Sequence, residues 1–275
     1  IVPQASEAGA GQQMLPIGAR LGFAQIAVAA AVGKARLSVY QKPRVAVLAT
    51  GDELVDVAAK PGVHQIRNSN TYSLAAQVLL AGGEPVRLPV APDEKTALAA
   101  LIRQGLGNDL LLLSGGVSMG KFDLVEEVLA SRDATFFFTG AEIQPGRPVV
   151  FGQAAPEMQG APVPFFGLPG NPVSTMVTFD LFVHPVLEAL SGAIPVRLPG
   201  AKARLAREIK TKTGLTRFLP AILRGGLQDP EVEVILWQGS GDVLAAARGN
   251  CYAVVPPDRD HIAAGEMISV LLRSS

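Results

Sequence analysis

The stretch from Leu110 to Asp123, Leu-Leu-Leu-Leu-Ser-Gly-Gly-Val-Ser-Met-Gly-Lys-Phe-Asp, constrains the fold of this chain more than any other. Four consecutive leucines between Asp109 and Ser114 leave no polar face, so a strand here must be covered on both sides. The residues that follow, Ser114, Gly115, Gly116, Ser118 and Gly120, are mostly backbone and leave N–H groups open to an approaching ligand. Phe122, Val125, Val128 and Leu129 then recur at helical spacing, which places the glycine-rich turn at a helix N-terminus and makes it an anion cradle. Gly115, Gly120 and Lys121 satisfy G-x-x-x-x-G-K, yet Phe122 stands where a nucleotide P-loop needs its magnesium-binding Ser or Thr, and the P-loop reading is set aside.

The surrounding pattern extends the argument to a sheet. Arg44 to Ala49 is a β-branched apolar run ending in Thr50-Gly51-Asp52-Glu53, so polar groups gather at a second strand's carboxyl end. Asn68-Ser69-Asn70 supplies N-cap chemistry for a helix to Ala81, closed by Gly82-Gly83. A strand over Glu84 to Val90, a helix opened by Pro92-Asp93 and running to about Gln104, and short strands at Thr135 to Thr139, Val149 to Gly152 and Val163 to Gly167 follow. Asn171 at N-cap and Pro172 at N1 start a helix to Leu190. Strands alternating with helices predict an α/β fold, a mainly parallel sheet flanked by helices, with ligands at strand carboxyl ends. Gly192, Pro195, Pro199 and Gly200 break that pattern, and alternating segments at 203–209, 218–223, 232–236, 253–255 and 267–272 predict a small antiparallel β-barrel domain. The expected division is a connector at 1–41, an α/β domain at 42–194 and the barrel at 195–275.

Residues 1–41 read as Ala/Gly-rich coil, a packed alanine-rich helix over Phe23 to Val32 and a short strand from Arg36 to Tyr40. The ten-residue apolar run is half of what a membrane span needs. The sequence opens on Ile1, which leads us to expect a piece of a longer chain. Lysine plus arginine balance aspartate plus glutamate at 24 each, so no global field draws nucleic acid or an anionic membrane, and any anion must be recognised locally. The single cysteine, Cys251, excludes an internal disulfide and fits a reducing, cytoplasmic compartment. His64, His184 and His261 stand in no metal-ligand spacing.

Four motifs follow one another in an order that resembles the molybdopterin molybdenumtransferase family, represented by MoeA and the E domain of gephyrin. They are Thr50-Gly51-Asp52-Glu53-Leu54; Ser114-Gly115-Gly116-Val117-Ser118 with Gly120 and Asp123; Pro145-Gly146-Arg147-Pro148; and Gly167-Leu168-Pro169-Gly170-Asn171-Pro172-Val173-Ser174. The resemblance implies a pterin-binding α/β domain followed by a β-barrel, and insertion of molybdate into adenylylated molybdopterin with release of AMP and use of Mg2+. It also implies a homodimer whose active site the partner completes, and a transient contact with the adenylyltransferase. Carried over by motif, Asp52 and Asp123 are expected to hold the magnesium and act in catalysis. Arg147, Ser174 and Ser240 are expected to form a molybdate pocket, while Thr50, Gly51, Ser114, Gly115, Gly116, Ser118, Gly120, Pro148, Gly170 and Asn171 would bind the pterin substrate. The alternatives are a molybdopterin adenylyltransferase of the same superfamily and a non-catalytic, gephyrin-like binding scaffold. Departures from the family pattern are Gln144 and Arg147 where lysines are common, Ala5-Ser6-Glu7 where the family has Gly-Glu-Asp, and Pro220 where an arginine is usual, with Arg217 three places earlier.

Overall fold

The computed structural model describes residues 3, 6–116, 124–156, 160–193, 198–226 and 228–273. After helix α1 (Phe23–Ala31), the chain forms β1 (Arg44–Ala49), a two-stranded ribbon of β2 (Leu54–Val55) and β3 (Ile66–Arg67), α2 (Asn70–Leu80), β4 (Glu84–Arg87), α3 (Lys95–Gly105) and β5 (Leu110–Ser114). It continues through α4 (Leu124–Ala130), β6 (Thr135–Phe138), β7 (Ile143–Gln144), β8 (Val150–Ala154), β9 (Val163–Leu168) and α5 (Pro172–Thr178), which passes through a π-helical turn (Phe179–Val183) into α6 (His184–Leu190). The sheet order is β4-β1-β5-β9-β8-β6. The four strands from β4 to β9 run parallel, and β8 and β6 each pair antiparallel with their neighbour.

The leucine run explains the layering. Leu110 and Leu112 point to one face, with Val45, Val47, Phe166, α2 residues Leu74 and Val78, and Phe179, Val183 and Leu187. Leu111 and Leu113 point to the other, with Leu48, α3 residues Leu98 and Ile102, and α4 residues Val125 and Val128. The period-two alternation of a strand turns an unbroken apolar run into two cores. Because α2 carries the chain from β1 outward to β4 and α3 brings it back to β5 on the other side of β1, the strand order reverses between β1 and β5, the place where such sheets open a crevice.

The second unit holds β10 (Gly200–Leu205), β11 (Ile209–Lys210), β12 (Thr216–Arg224), β13 (Glu231–Val234), α7 (Val243–Arg248), β14 (Cys251–Val255), β15 (His261–Ile262) and β16 (Met267–Leu272). Strands β10, β16, β14, β12 and β13 pair in a ring, which β13 closes by pairing with both β12 and β10. The barrel interior is filled by Ala203, Leu205, Ala221, Val232, Cys251, Ala253, Val255, Ile268 and Val270. Residues alternating with these, Phe218, Tyr252 and Leu271, face outward onto Val173 and Val177 of α5. Strand β7 of the first unit adds parallel to β12, pairing Ile143 with Thr216 and Gln144 with Arg217.

Four expectations need correction. Phe23 is 92% and Ile26 58% exposed, and only Ala29 of α1 is buried, so most of this helix's apolar surface is left uncovered. Arg36 to Tyr40 is extended but pairs with no strand, its Tyr40 ring instead lying against Gly192. Helix α3 begins at Lys95, not at Pro92-Asp93, because the Glu94 carboxylate accepts the N–H groups of Thr96 and Ala97 and so caps it. Helix α7, capped by Asp242 accepting the Ala245 N–H at 3.0 Å, lies within what the sequence presented as an all-β domain.

Among the described residues one helix, Pro172–Leu190, is long and apolar enough to cross a membrane by length and composition alone. It is the wedge between sheet and barrel, and its π-helical turn carries Asp180 inward. Asp180 accepts a hydrogen bond from Gln77 Nε2 at 3.0 Å, with Arg273 and Tyr252 nearby. Burial, only partly offset by Gln77, Arg273 and Tyr252, lifts its pKa from 3.8 to about 6. The folded state thus binds the Asp180 proton more tightly than the unfolded chain does. The stability this proton confers is full below about pH 4 and is lost as pH rises through about 6. Asp180→Asn is expected to be about 1–3 kcal/mol more stable than the parent at pH 7.5. Urea denaturation should show that gain shrinking toward pH 4.5.

Candidate functional site

A cleft of about 540 Å3 opens at the carboxyl ends of β1, β5 and β9. Its walls include Thr50 and Gly51 after β1, Ser114, Gly115 and Gly116 after β5, and Pro169, Gly170 and Asn171 after β9, with Pro148 beside them. The three turns are tied together: Thr50 N–H donates to the Ser114 carbonyl at 3.1 Å, and Gly115 N–H donates to the Leu168 carbonyl at 3.2 Å. Gly115 and Gly116 have φ of +86° and +66°. A Cβ on Gly115 would lie 2.9 Å from the Thr50 carbonyl oxygen, and one on Gly116 would lie 2.7 Å from Thr50 Oγ1, so only glycine permits this approach.

Asn70 knits the cleft. Its Nδ2 donates to Ser114 Oγ at 2.9 Å and to the Gly170 carbonyl at 2.8 Å, with Thr175 Oγ1 at 3.4 Å. The Thr175 hydroxyl in turn donates to the carbonyls of Pro169 and Asn171. Sequence reasoning took Asn68-Ser69-Asn70 as capping residues, which holds for Asn68, whose Oδ1 accepts the Thr71 N–H at 3.2 Å. The role of Asn70 was invisible because its partners lie 44, 100 and 105 residues away. Arg67, Glu53 and Asp93 also line the cleft and were not singled out for it; a polar residue at the end of a short strand beside a helix cap is the signal that pointed there.

The remaining expected residues fall in three places. Asp52 is exposed on the turn after β1, where its Oδ1 accepts the Asp93 N–H at 3.0 Å; it stands at the rim and is not among the cleft-lining residues. Ser118, Gly120 and Asp123 lie outside the described residues. Arg147, Ser174 and Ser240 belong to a neighbouring junction at the N-terminus of α5. The Ser240 carbonyl accepts the Val173 N–H at 2.9 Å, Ser174 is 4% exposed within the helix, and the Gly146 turn, φ +106°, packs on Ser174 and Thr178. Arg147 is exposed on that turn, its carbonyl accepting the Ala141 N–H at 3.0 Å. Asn171, Pro172 and Pro148 line the cleft and so join it to this junction. Arg217 is buried in β12 and donates from Nη2 to the Lys212 carbonyl at 2.7 Å. Ala5, part of the connector motif, lies outside the described residues.

Glycine turns and hydroxyls around a crevice at a strand switch point, with a barrel docked on the helix that leaves it, define a class: an α/β domain with a crevice at its strand carboxyl ends, carrying a C-terminal β-barrel. Residues 46–189 match the family of probable molybdopterin binding domains, and residues 202–272 match the MoeA C-terminal region (domain IV). The chain therefore belongs to the MoeA family of molybdopterin-binding proteins. It is 37% identical over 269 residues to a molybdopterin molybdenumtransferase of Nostoc, covering 95% of this chain and 60% of that one. A molybdopterin molybdenumtransferase of Haemophilus influenzae is 31% identical, with 94% and 63% covered. Among solved structures, a molybdopterin biosynthesis MoeA protein of Pyrococcus horikoshii aligns with TM-score 0.79 at 31% identity, over 94% of this chain and 61% of that one. The chain spans about three fifths of the length of these relatives.

Proposed function

We propose that the cleft binds the phosphorylated pterin, and that the protein to which these two domains belong inserts molybdate into adenylylated molybdopterin with release of AMP, as a homodimer in the cytoplasm. The observation that carries this reading is the convergence of Thr50, Ser114 to Gly116 and Gly170-Asn171 on one crevice under Asn70. Glycines at positive φ carry no side chain to keep a phosphate away from the turn, and the neutral hydroxyls of Thr50 and Ser114 can donate to it. The junction of Arg147, Ser174 and Ser240 would take molybdate, a tetrahedral dianion that suits a guanidinium fork and hydroxyl donors. Replacement of the common lysine by Arg147 keeps the charge and changes its geometry, which bears on how tightly the oxyanion is held.

Magnesium fits only in a limited way. Among the described residues no three His, Cys, Asp or Glu side chains converge to form a cage. Asp52 keeps one carboxylate oxygen unused by Asp93, and Glu53 and Asp93 line the cleft, so one or two of these carboxylates would hold the ion together with phosphoryl oxygens of the substrate. Bound there, the ion would neutralise charge on the substrate's phosphoryl groups.

Anaerobic fluorescence titration of this chain with molybdopterin is expected to give saturable binding. With adenylylated pterin, magnesium and molybdate, the full-length protein is expected to release AMP in a molybdate-dependent manner. Absence of saturable pterin binding, or AMP release indifferent to molybdate, would sink the proposal.

A further inference from the structure

The cleft has one cationic side chain among its described lining residues, Arg67, and neither the strand-end motifs nor the molybdate junction uses it. It ends the β2–β3 ribbon, where Val55 pairs with Arg67 and the Val55 carbonyl accepts the Asn68 N–H at 2.9 Å. Asn68 then caps α2, so the backbone of Arg67 is held on both sides. Its guanidinium is tethered as well: Nε donates to the Val57 carbonyl at 3.0 Å, while neither terminal nitrogen has a hydrogen-bond partner among the described residues. A guanidinium anchored at Nε presents its two amino groups as a flat fork, the arrangement that takes two oxygens of one phosphoryl group. Arg67 enters from the α2 side, whereas Gly115 and Gly116 come from the end of β5, so the cation and the glycine turn stand on different walls.

A ligand with a single phosphoryl group against the Gly115–Gly116 turn and the Ser114 hydroxyl would leave Arg67 idle. A diphosphate uses both walls. We propose that Arg67 is the specificity-determining residue that recognises the second phosphoryl group of a diphosphate ligand, the one bonded to the nucleoside in an adenylylated pterin. It thereby separates the nucleotide-bearing substrate from the pterin monophosphate left after AMP departs. The inference rests on the pterin-site reading above and adds a residue and a discrimination that the motif positions do not supply. Glu53 and Asp93, the carboxylates on the same cleft, sharpen the discrimination because an anion not paired with Arg67 meets their repulsion.

The test is calorimetric titration of the chain with ADP, AMP and adenosine, the parent against Arg67→Gln and Arg67→Lys. Arg67 is exposed on a two-residue strand, so both variants are expected to melt with the parent. Arg67→Gln should weaken ADP at least tenfold and AMP to a similar degree, while leaving adenosine and molybdopterin unchanged. Arg67→Lys should recover part of the loss, because charge returns without the fork. Equal ADP affinity for parent and Arg67→Gln, or an equal loss for adenosine and ADP, overturns the role of Arg67 alone. A parent chain that binds neither ADP nor molybdopterin overturns both this inference and the pterin-site reading.

Discussion

Gly115→Ala is expected to lower global stability by about 2–4 kcal/mol and to abolish pterin binding in the cleft. The residue has φ +86°, where an L side chain is strained by about 1–2 kcal/mol. The added Cβ would also stand 2.9 Å from the backbone oxygen of Thr50, an atom fixed at the end of β1 that cannot rotate away. The turn must therefore back off, and the wall it gives the cleft goes with it. Gly82→Ala is the matched control: φ is +85° but nothing lies within 4 Å of its Cβ, so only the backbone cost of about 1 kcal/mol should appear, with ligand affinity intact. Chemical denaturation and pterin titration of the two variants side by side separate strain from site loss. Similar behaviour of the two would mean that the Thr50–Gly115 contact is not what shapes the cleft.

Asn70→Asp is expected to cut affinity for the phosphorylated pterin by about a hundredfold, near 3 kcal/mol, and Asn70→Ala by roughly tenfold. The aspartate keeps the size of the side chain but loses the donor, leaving a carboxylate oxygen facing the Gly170 carbonyl now 2.8 Å away, and it brings a negative charge to a cleft meant for an anion. The alanine only removes the tie between the Ser114, Gly170 and Thr175 walls. An aspartate variant that binds as well as the alanine variant would show that charge at this position is not felt by the ligand. The ordering of the two variants thus reads out the electrostatics separately from the scaffold.

The wider lesson concerns the range over which a residue acts. Gly115, Gly116 and Gly170 were legible because a strand's apolar run followed by glycine is a local signal, and Asn171-Pro172 because capping is decided within a few residues. Helix α7 was not, since its six residues sit between strands and Ala246 is buried against the outer face of the barrel. The exposure of α1 was equally hidden: apolar spacing predicts a helix, while burial depends on what surface it is offered. Asp52 and Asp123 shared a motif-level role. Of the two, Asp52 lies among the described residues, and its carboxylate serves the turn as acceptor for the Asp93 N–H.

By itself, the sequence determined that Leu110 to Leu113 is a strand covered on both faces and that an amide-rich turn follows it, because strand periodicity and glycine stereochemistry are properties of neighbouring residues. It also determined the change from an alternating α/β pattern to short strands beyond Gly200. Tertiary structure decided what stands across from that turn. Asn70 reaches Ser114 and Gly170, Arg67 comes in from a ribbon, β7 joins the barrel through β12, and Asp180 is carried into the interface. These pairings join residues from roughly 40 to over 100 positions apart. Chain closure over such lengths is set by how the two cores pack, and no local pattern encodes it.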